Sequence, residues 1–453
     1  MNLLFLLPLV SPRARARDAI AVPDDMGPSS RTKSMGRHHK HQGDLSGAAC
    51  GQLVDAVPAQ LEAVDEGNLY TRAREMNGRN LSSPSGALPR SRHRGMFLPR
   101  EDMSSEEALA LVHRSQYPPS CDRYLVLVDP RHAGMGLGWF STLLVNMLAT
   151  AMSENRVLIE VPYHALSERA GTVAKSARWC DREPYTLQCL YKPWTDCPLP
   201  PGPWSAVAKW GSSAATQRQN ANKSVVLLNG GLYGRMTREN EYRGNWMGKW
   251  RSWKKLPKYA QTLARFLTSP RPWVATAAAC YMRECGLEPG QFLTVHLRES
   301  AEKKREVTWS HRGRSRSNLP QLENYTAATE LMLANMTAAA TGGGLLVQTA
   351  NGDLLKRFTA WARKRDLSVC VTNNRRSAVG AVAHDSWGGK NHSAVMEEAA
   401  IAAVNGHLAS LGGRFISPAS SQWTGFVARL MGLGSDMPGC SRSMVCARRK
   451  EGF

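Results

Sequence analysis

Two short segments contain residue types that suit diphosphate binding, and each follows the pattern of a β-strand. In the first, a β-branched run leads to His296 and Arg298 at the predicted strand end. The guanidinium of an arginine offers a planar fork of N–H donors that matches phosphate oxygens. Taken alone, an arginine in this place is more commonly structural or simply solvated. The first segment therefore needs a second group beside it before it indicates a ligand.

The second segment begins at Ser417, where a predicted strand ends and a helix begins with Ser420, Ser421 and Gln422. Serine is a favoured N-cap residue, so capping alone explains one of the two serines. The alternative is that the hydroxyls and the exposed amides of the helix start hold a phosphate. Together with Arg298, this helix start fits a nucleotide-diphosphate pocket that stabilises the charge of a leaving phosphate without a metal.

Strands and helices alternate in the second half of the chain, where both segments lie. The predicted strands are 292–297, 345–349, 367–372 and 414–417, and the predicted helices are 323–340, 354–364, 394–411 and one from Ser420 onward. Such alternation indicates a parallel sheet. Ligands of these sheets bind beyond the carboxyl ends of the strands, which is where both segments fall.

The first half contains one βαβ unit followed by less regular sequence. Its predicted elements are a strand at 124–129, a glycine-rich loop from Gly134 to Gly138, a helix at 139–154, strands at 156–161 and 225–228, and helical sequence at 255–285. A break at Pro270–Pro272 marks the expected hinge between the halves. The glycine loop fits a plain tight turn, or a helix start whose amides face an anion or a hydroxyl. Residues 163–224 are expected to be irregular.

The composition suits a folded domain that attracts anions. Hydrophobic residues make up 42% of the 453 residues, which argues for a globular core and against a multi-span membrane protein. The net charge of +21 favours anionic partners in general. Because no RNA-binding motif accompanies it, we expect no nucleic-acid partner. Residues 11–115 are predicted to form a mostly disordered basic stalk with helical pieces at 52–63 and 104–114.

The cysteines point to an oxidising compartment. Ten are present, without CxxC pairs or zinc-like histidine spacing, so we expect no structural metal. Those expected to form disulfides are Cys180, Cys189, Cys197, Cys440 and Cys446. Residues 2–10 are apolar but too few to span a bilayer, and they read as a signal-peptide core or a truncated membrane anchor.

Six short motifs occur in order along the part of the chain between residues 120 and 435. They are Pro272-Trp273, His296-x-Arg298, Pro320-x-Leu322-Glu323-x-Tyr325, Leu346-Val347-x-Thr349, Leu354-Leu355-Lys356 and Ser420-Ser421-Gln422. In order and spacing, this set resembles eukaryotic α1,6-fucosyltransferases. The family belongs to a superfamily that includes nodulation, protein O- and xyloglucan fucosyltransferases. Each motif is short, and the resemblance depends on the ordered set.

The resemblance implies an α/β, GT-B-like fold in which two Rossmann-like domains face a cleft. Residues 1–115 would form the N-terminal apolar segment and stalk, 116–285 the acceptor-side domain with a cysteine-rich insert, and 286–453 the domain that binds the GDP-sugar. The implied activity is inverting, metal-independent transfer of fucose from GDP-fucose to a glycan. The implied location is the Golgi or another secretory-pathway lumen, with a type II membrane anchor.

The resemblance also implies roles for single residues. Arg298 would be the catalytic residue that holds the β-phosphate and promotes the departure of GDP. His296 would contact the guanosine, and Ser420 and Ser421 would bind phosphate or sugar. Gln422 belongs to the same motif and completes the donor-binding set at the helix start.

Three departures from the family pattern affect the rest of that binding set. Glu299 stands where the family has a second arginine, and Ala350 and Asn351 stand after Thr349 where it has two aspartates. Asn405 falls on or near a further carboxylate position. An asparagine can bind a base or ribose, but it does not neutralise an arginine. Thr349, Asn351 and Asn405 are therefore expected to bind the nucleotide.

No general base is evident from the sequence. Glu299, Glu302 and Asp353 are candidates only because they lie near the predicted site, and an inverting transfer needs a base or a very labile donor. Two alternatives stay open. One is a transferase of the same fold with a protein hydroxyl or a polysaccharide as acceptor. The other is a basic, nucleic-acid-binding or lectin-like protein that kept the fold and lost catalysis.

Overall fold

The computed structural model shows strands alternating with helices along the described part of the chain. The described residues are 103–128, 137–161, 186–200, 208–209, 214–228, 257–299, 320–335, 344–374, 376, 392–418, 421–432 and 444–449. Their strands are β1 (Tyr124–Val128), β2 (Val157–Val161), β3 (Ala208–Lys209), β4 (Val225–Leu228), β5 (Leu293–His296), β6 (Leu345–Gln348), β7 (Val369–Val371), β8 (Arg414–Pro418) and β9 (Met444–Arg448). Their helices are α1 (Ser105–Gln116), α2 (Leu137–Ser153), α3 (Ala214–Asn220), α4 (Pro257–Leu267), α5 (Pro272–Cys285), α6 (Leu322–Ala334), α7 (Gly352–Arg363), α8 (His392–Leu411) and α9 (Gln422–Met431).

The strands form two sheets, and the pairing in both is mostly parallel. The first sheet has the order β2-β1-β4-β3 and is parallel throughout. The second has the order β7-β6-β5-β8-β9, in which only β9 runs antiparallel. The predicted α/β class with parallel sheets is therefore confirmed, and it is compatible with two Rossmann-like domains.

The strands are apolar because helices cover their faces. β2 is buried along its whole length, and β1 reads as a continuous Tyr-Leu-Val-Leu-Val run. Continuous apolar strands are typical of parallel sheets covered on both faces. In α9, the predicted apolar face is also found, with Phe426 and Val427 in the main hydrophobic core. The pattern of the sequence and the packing of these elements agree.

Helices α4 and α5 pack against helices from both halves of the chain. The predicted break is present, since α4 ends at Leu267 and α5 begins with Pro272 in its first turn, where a proline is well tolerated. Helix α4 packs against α1, α2 and α9, whereas α5 packs against α8. One hydrophobic cluster accordingly includes Phe140 from the first half and Phe426 from the second.

The C-terminal end of the predicted stalk is folded, because it forms helix α1. Helix α1 begins with a capping box, in which Ser104 and Glu107 exchange hydrogen bonds of 2.8 and 3.1 Å. Its residues Ala108 and Val112 are fully buried in the main core. The helical prediction for 104–114 is confirmed, and the helix packs on the domain that was predicted to begin at residue 116. The remaining predictions for residues 1–102 and for Gly134–Gly136 concern residues outside the described part.

Three elements of the structure were not predicted. The expectation that 163–224 is irregular is wrong for β3 and α3, and β9 was missed. β3 has only two residues, and α3 is a polar seven-residue segment without an apolar stripe. Neither is long enough to display a period. The strand β9 exists because it pairs with β8, which is a long-range contact.

Two disulfides join described residues. Cys121 bonds to Cys197 at the start of β1, and Cys285 at the end of α5 bonds to Cys370 in β7. Cys280 and Cys446 are also disulfide-bonded, whereas the prediction is wrong for Cys189, which forms no disulfide. Cys180 and Cys440 lie outside the described residues. These bonds indicate a lumenal or secreted environment. In the described part of the chain, no helix combines the length and apolarity needed to cross a membrane.

Candidate functional site

The two segments that the sequence singled out meet at one edge of the second sheet. β5 and β8 are parallel neighbours with Val295 opposite Ile416, so His296 and Ser417 follow side by side at the carboxyl ends. The Nδ1 atom of His296 lies 2.9 Å from Oγ of Ser417. The ends of β5 and β8, the strands that lead to Arg298 and to α9, are therefore linked directly by side chains.

Arg298 is held in place through its backbone. The hydroxyl of Tyr325, a buried residue of α6, accepts a hydrogen bond from the Arg298 N–H at 3.0 Å and donates to the Arg298 carbonyl at 2.8 Å. Both backbone groups of the loop residue are thus fixed by one side chain. The side chain of Arg298 is half-buried. Tyr325 explains the tyrosine of the motif, whose role the sequence did not reveal.

His296 is neutral at physiological pH. Burial, and to a smaller extent the nearby positive charge of Arg298, lowers the pKa of His296 to about 3. Its ring also lies 6.4 Å from the ring of Trp423, centroid to centroid. A neutral imidazole beside a guanidinium adds hydrogen-bonding capacity without adding charge. The pair suits an anionic ligand that also presents polar groups.

Ser421 is the N-cap residue of α9, but its side chain does not cap the helix. The residue is only 5% exposed, and its Oγ has no hydrogen-bond partner among the described residues. By contrast, Asn351 caps α7 in the usual way, with Oδ1 accepting from the Leu354 N–H at 3.0 Å. The capping explanation for Ser421 is therefore not supported by the geometry. Ser420 and the side chain of Gln422 lie outside the described part.

A network of buried polar groups connects the strand ends behind this edge. Trp423 Nε1 donates to Gln348 Oε1 at 3.1 Å, and Gln348 Nε2 donates to the Asn405 carbonyl at 2.7 Å. Thr372 Oγ1 donates to Asn405 Oδ1 at 2.7 Å. Asn405 thus reaches the predicted edge, but its amide oxygen is engaged with the protein. Its observed contacts connect α8 to β6 and β7.

Thr349 and Asn351 form the turn between β6 and α7. The Thr349 hydroxyl accepts from the Asn351 N–H at 3.0 Å, and both residues are buried. The Thr349 carbonyl accepts from Asn374 Nδ2 at 2.9 Å. The structure therefore brings both predicted residues to the ligand edge, where their observed contacts shape the turn.

A second guanidinium at this edge was missed from the sequence. Arg376 follows β7, and its Nη2 donates to Asn374 Oδ1 at 2.8 Å and to the carbonyl of Thr372. Burial lowers the pKa of Arg376, while the charge of Glu398 acts in the opposite direction. An arginine soon after a strand end was an available signal. It was overlooked because no matched motif covers this segment.

The candidate bases have structural roles where they are described. Glu299 forms an ion pair with Arg357 of α7. Asp353 is exposed in the first turn of the same helix, where a carboxylate interacts favourably with the helix dipole. Glu302 lies outside the described residues. Within the part that the structure describes, no group of histidine, cysteine or acidic side chains is arranged to hold a metal ion.

Fold and site together define an α/β protein with a polar, basic edge at the carboxyl ends of a parallel sheet, the place where such folds bind ligands. The sequence matches no protein-family model and no curated protein at a significant level. The site itself is therefore the main indication of function.

Proposed function

We propose that this chain is an inverting, metal-independent glycosyltransferase that moves fucose from GDP-fucose to a glycan, with a GT-B-like arrangement whose second sheet carries the donor. The observation that carries the proposal is the convergence of β5 and α9. Arg298, neutral His296 and the uncommitted Ser421 hydroxyl all belong to the carboxyl edge of β5 and β8. The choice of fucose and guanosine comes from the motif resemblance.

The chemistry requires charge stabilisation on the leaving group. The acceptor oxygen attacks the anomeric carbon, the bond from that carbon to the β-phosphate oxygen breaks, and GDP leaves with the bonding electrons. Arg298 and the amides at the start of α9 would stabilise the resulting negative charge. Tyr325 supports this role because it fixes the backbone of Arg298 before the donor arrives. His296 would hydrogen-bond the guanosine part of the donor.

The acceptor hydroxyl must also lose its proton. Glu299 is the described candidate nearest the end of β5, and it would have to leave its ion pair with Arg357 to act as a base. This ion pair favours a second candidate function, a nucleotide-binding protein of the same fold that does not transfer sugar. Transfer to a protein hydroxyl or a polysaccharide would use the same donor chemistry. The disulfides fit a secretory-pathway lumen, and we propose the Golgi.

The decisive experiment measures GDP binding and sugar transfer with the same protein preparation. Titration calorimetry with GDP tests the donor site, and release of GDP from GDP-fucose tests transfer to N-glycan, protein and polysaccharide acceptors. We expect Arg298→Ala to lower turnover about 100-fold or more, as removal of one anion-stabilising donor does. The free energy of unfolding should stay within about 1 kcal/mol, because the half-buried side chain is replaced without loss of its backbone contacts.

Arg365→Ala is the matched control. Arg365 forms an ion pair with Glu330 beyond the end of α7, at the opposite end of the helix from the strand tips. Its replacement by alanine should leave turnover unchanged. Unaltered turnover in Arg298→Ala would refute the assigned role. GDP binding without transfer to any acceptor would support the second candidate. Binding of RNA with a steep salt dependence, and none of GDP, would reject both.

A further inference from the structure

A cavity lies at the edge of the second sheet opposite the candidate donor site. Its volume is 250 Å³, and it opens among α4, α8, α9 and the chain that follows β9. The residue Arg449 in its wall donates from its backbone N–H to the Gly413 carbonyl, directly before β8 begins. Because β8 runs from this end towards the candidate donor site, the cavity and the donor site lie at different edges of the sheet.

The cavity wall is basic. Arg265 and Arg449 line it, together with His407, whose pKa is lowered by burial so that the ring is neutral. No carboxylate is among its lining residues, all of which are described. Burial, together with the positive charge of Arg449, lowers the pKa of Arg265, as expected for two like charges in one cavity wall. The Nε of Arg265 is already satisfied by the Leu430 carbonyl at 2.9 Å. An anion between the two arginines would relieve their repulsion.

Two buried donors in the cavity wall lack partners. The hydroxyl of Tyr191, a residue that is 2% exposed, has no hydrogen-bond partner among the described residues, and neither does Nε of Arg449. Burial raises the pKa of the Tyr191 hydroxyl, so it keeps its proton and remains a donor. Buried donors without partners are costly, and native proteins usually satisfy them with water, an ion or a ligand.

We propose that this cavity binds the phosphate group of a small molecule, with Arg265 and Arg449 contacting the anion and the Tyr191 hydroxyl donating a hydrogen bond to it. The volume is just below the range of about 300–1,000 Å³ that is typical of drug-sized ligands. The occupant is therefore either free phosphate or a small phosphate ester. Since α4, α8 and α9 all surround it, the occupant joins helices of both halves.

Titration calorimetry on the full chain tests this site with inorganic phosphate, glycerol 3-phosphate and neutral glycerol at constant ionic strength. All variants also carry Arg298→Ala, which weakens anion binding at the candidate donor site. We expect both phosphate probes to bind and glycerol not to bind. Arg449→Gln should weaken binding about tenfold or more, as for a lost charge-assisted hydrogen bond. Tighter binding of glycerol 3-phosphate would identify the occupant of the cavity as a phosphate ester. Tighter binding of inorganic phosphate would identify the occupant as the free ion.

Two further variants separate binding from folding. Arg448→Gln removes the same charge from the neighbouring exposed residue and should change affinity less than about twofold. Tyr191→Phe removes the unpartnered hydroxyl, so the protein should keep or raise its melting temperature while phosphate binding weakens several-fold. Equal affinities for Arg448→Gln and Arg449→Gln, or no binding of either phosphate probe at millimolar concentration, would overturn the proposal.

Discussion

Two explanations for the Ser421 hydroxyl, phosphate binding and helix capping, predict stability changes of opposite sign when the hydroxyl is removed. It is buried, it accepts no cap hydrogen bond, and it has no partner among the described residues. Leaving a buried hydroxyl unsatisfied costs about 1–3 kcal/mol. Removing it in Ser421→Ala should therefore raise the free energy of unfolding of the ligand-free protein by about 1 kcal/mol, the low end of that range, because 5% of the residue stays exposed.

The same substitution should weaken the binding of GDP. A hydrogen bond to a charged group contributes about 1.5–3 kcal/mol, which corresponds to roughly tenfold to a hundredfold in affinity. If Ser421 were only a helix cap, its loss would instead lower stability by about 1 kcal/mol and leave GDP binding unchanged. The two explanations thus differ by about 2 kcal/mol in stability, which urea unfolding resolves.

Asn351→Ala provides the matched reference for a true cap. Its side chain accepts from the Leu354 N–H, so this variant should lose about 1 kcal/mol of stability. Urea unfolding measures both variants, and calorimetry with GDP measures the effect of Ser421→Ala. A stability loss in Ser421→Ala equal to that of Asn351→Ala, with unchanged GDP affinity, would contradict the diphosphate site at α9.

Three other predictions follow from the contacts around the site and in the core. Tyr325→Phe removes both hydrogen bonds to the Arg298 backbone. We therefore expect urea unfolding to show about 1–2 kcal/mol less stability and calorimetry to show lower GDP affinity. Unchanged stability and affinity would show that this contact does not position Arg298. Because folded His296 has a pKa of about 3, below its ordinary value, the unfolded chain takes up the proton first and stability falls as pH decreases from about 6.5 towards 3. His296→Gln should flatten this decline by up to about 1.4 kcal/mol per pH unit between about pH 6.5 and 5, and equal slopes for both proteins would disprove it. Arg156→Met should lower the free energy of unfolding, measured with urea, by about 3 kcal/mol. The buried guanidinium donates to the Lys223 and Asn220 carbonyls at 2.8 Å, and the substitution leaves both carbonyls without these hydrogen bonds.

The sequence located most regular elements because their periods are local properties. The predicted strand at 414–417 is β8, and the apolar spacing in 423–431 is helix α9. The break at Pro270–Pro272 was equally visible, since a proline ends one helix and is tolerated at the start of another. The roles of Thr349 and Asn405 were less accessible, because their observed partners come from other elements.

Residue types and spacing by themselves determined that the chain forms parallel α/β sheets, that His296 ends a strand, and that Arg298 and Ser421 follow strand ends. They did not determine which strands are neighbours, because pairing depends on contacts between residues far apart in the chain. Tertiary structure placed β8 beside β5 and so brought His296 within 2.9 Å of Ser417, 121 residues away. It also decided that Ser421 leaves its hydroxyl uncommitted while Asn351 caps its helix, a difference of geometry between two residues that are both good caps in sequence.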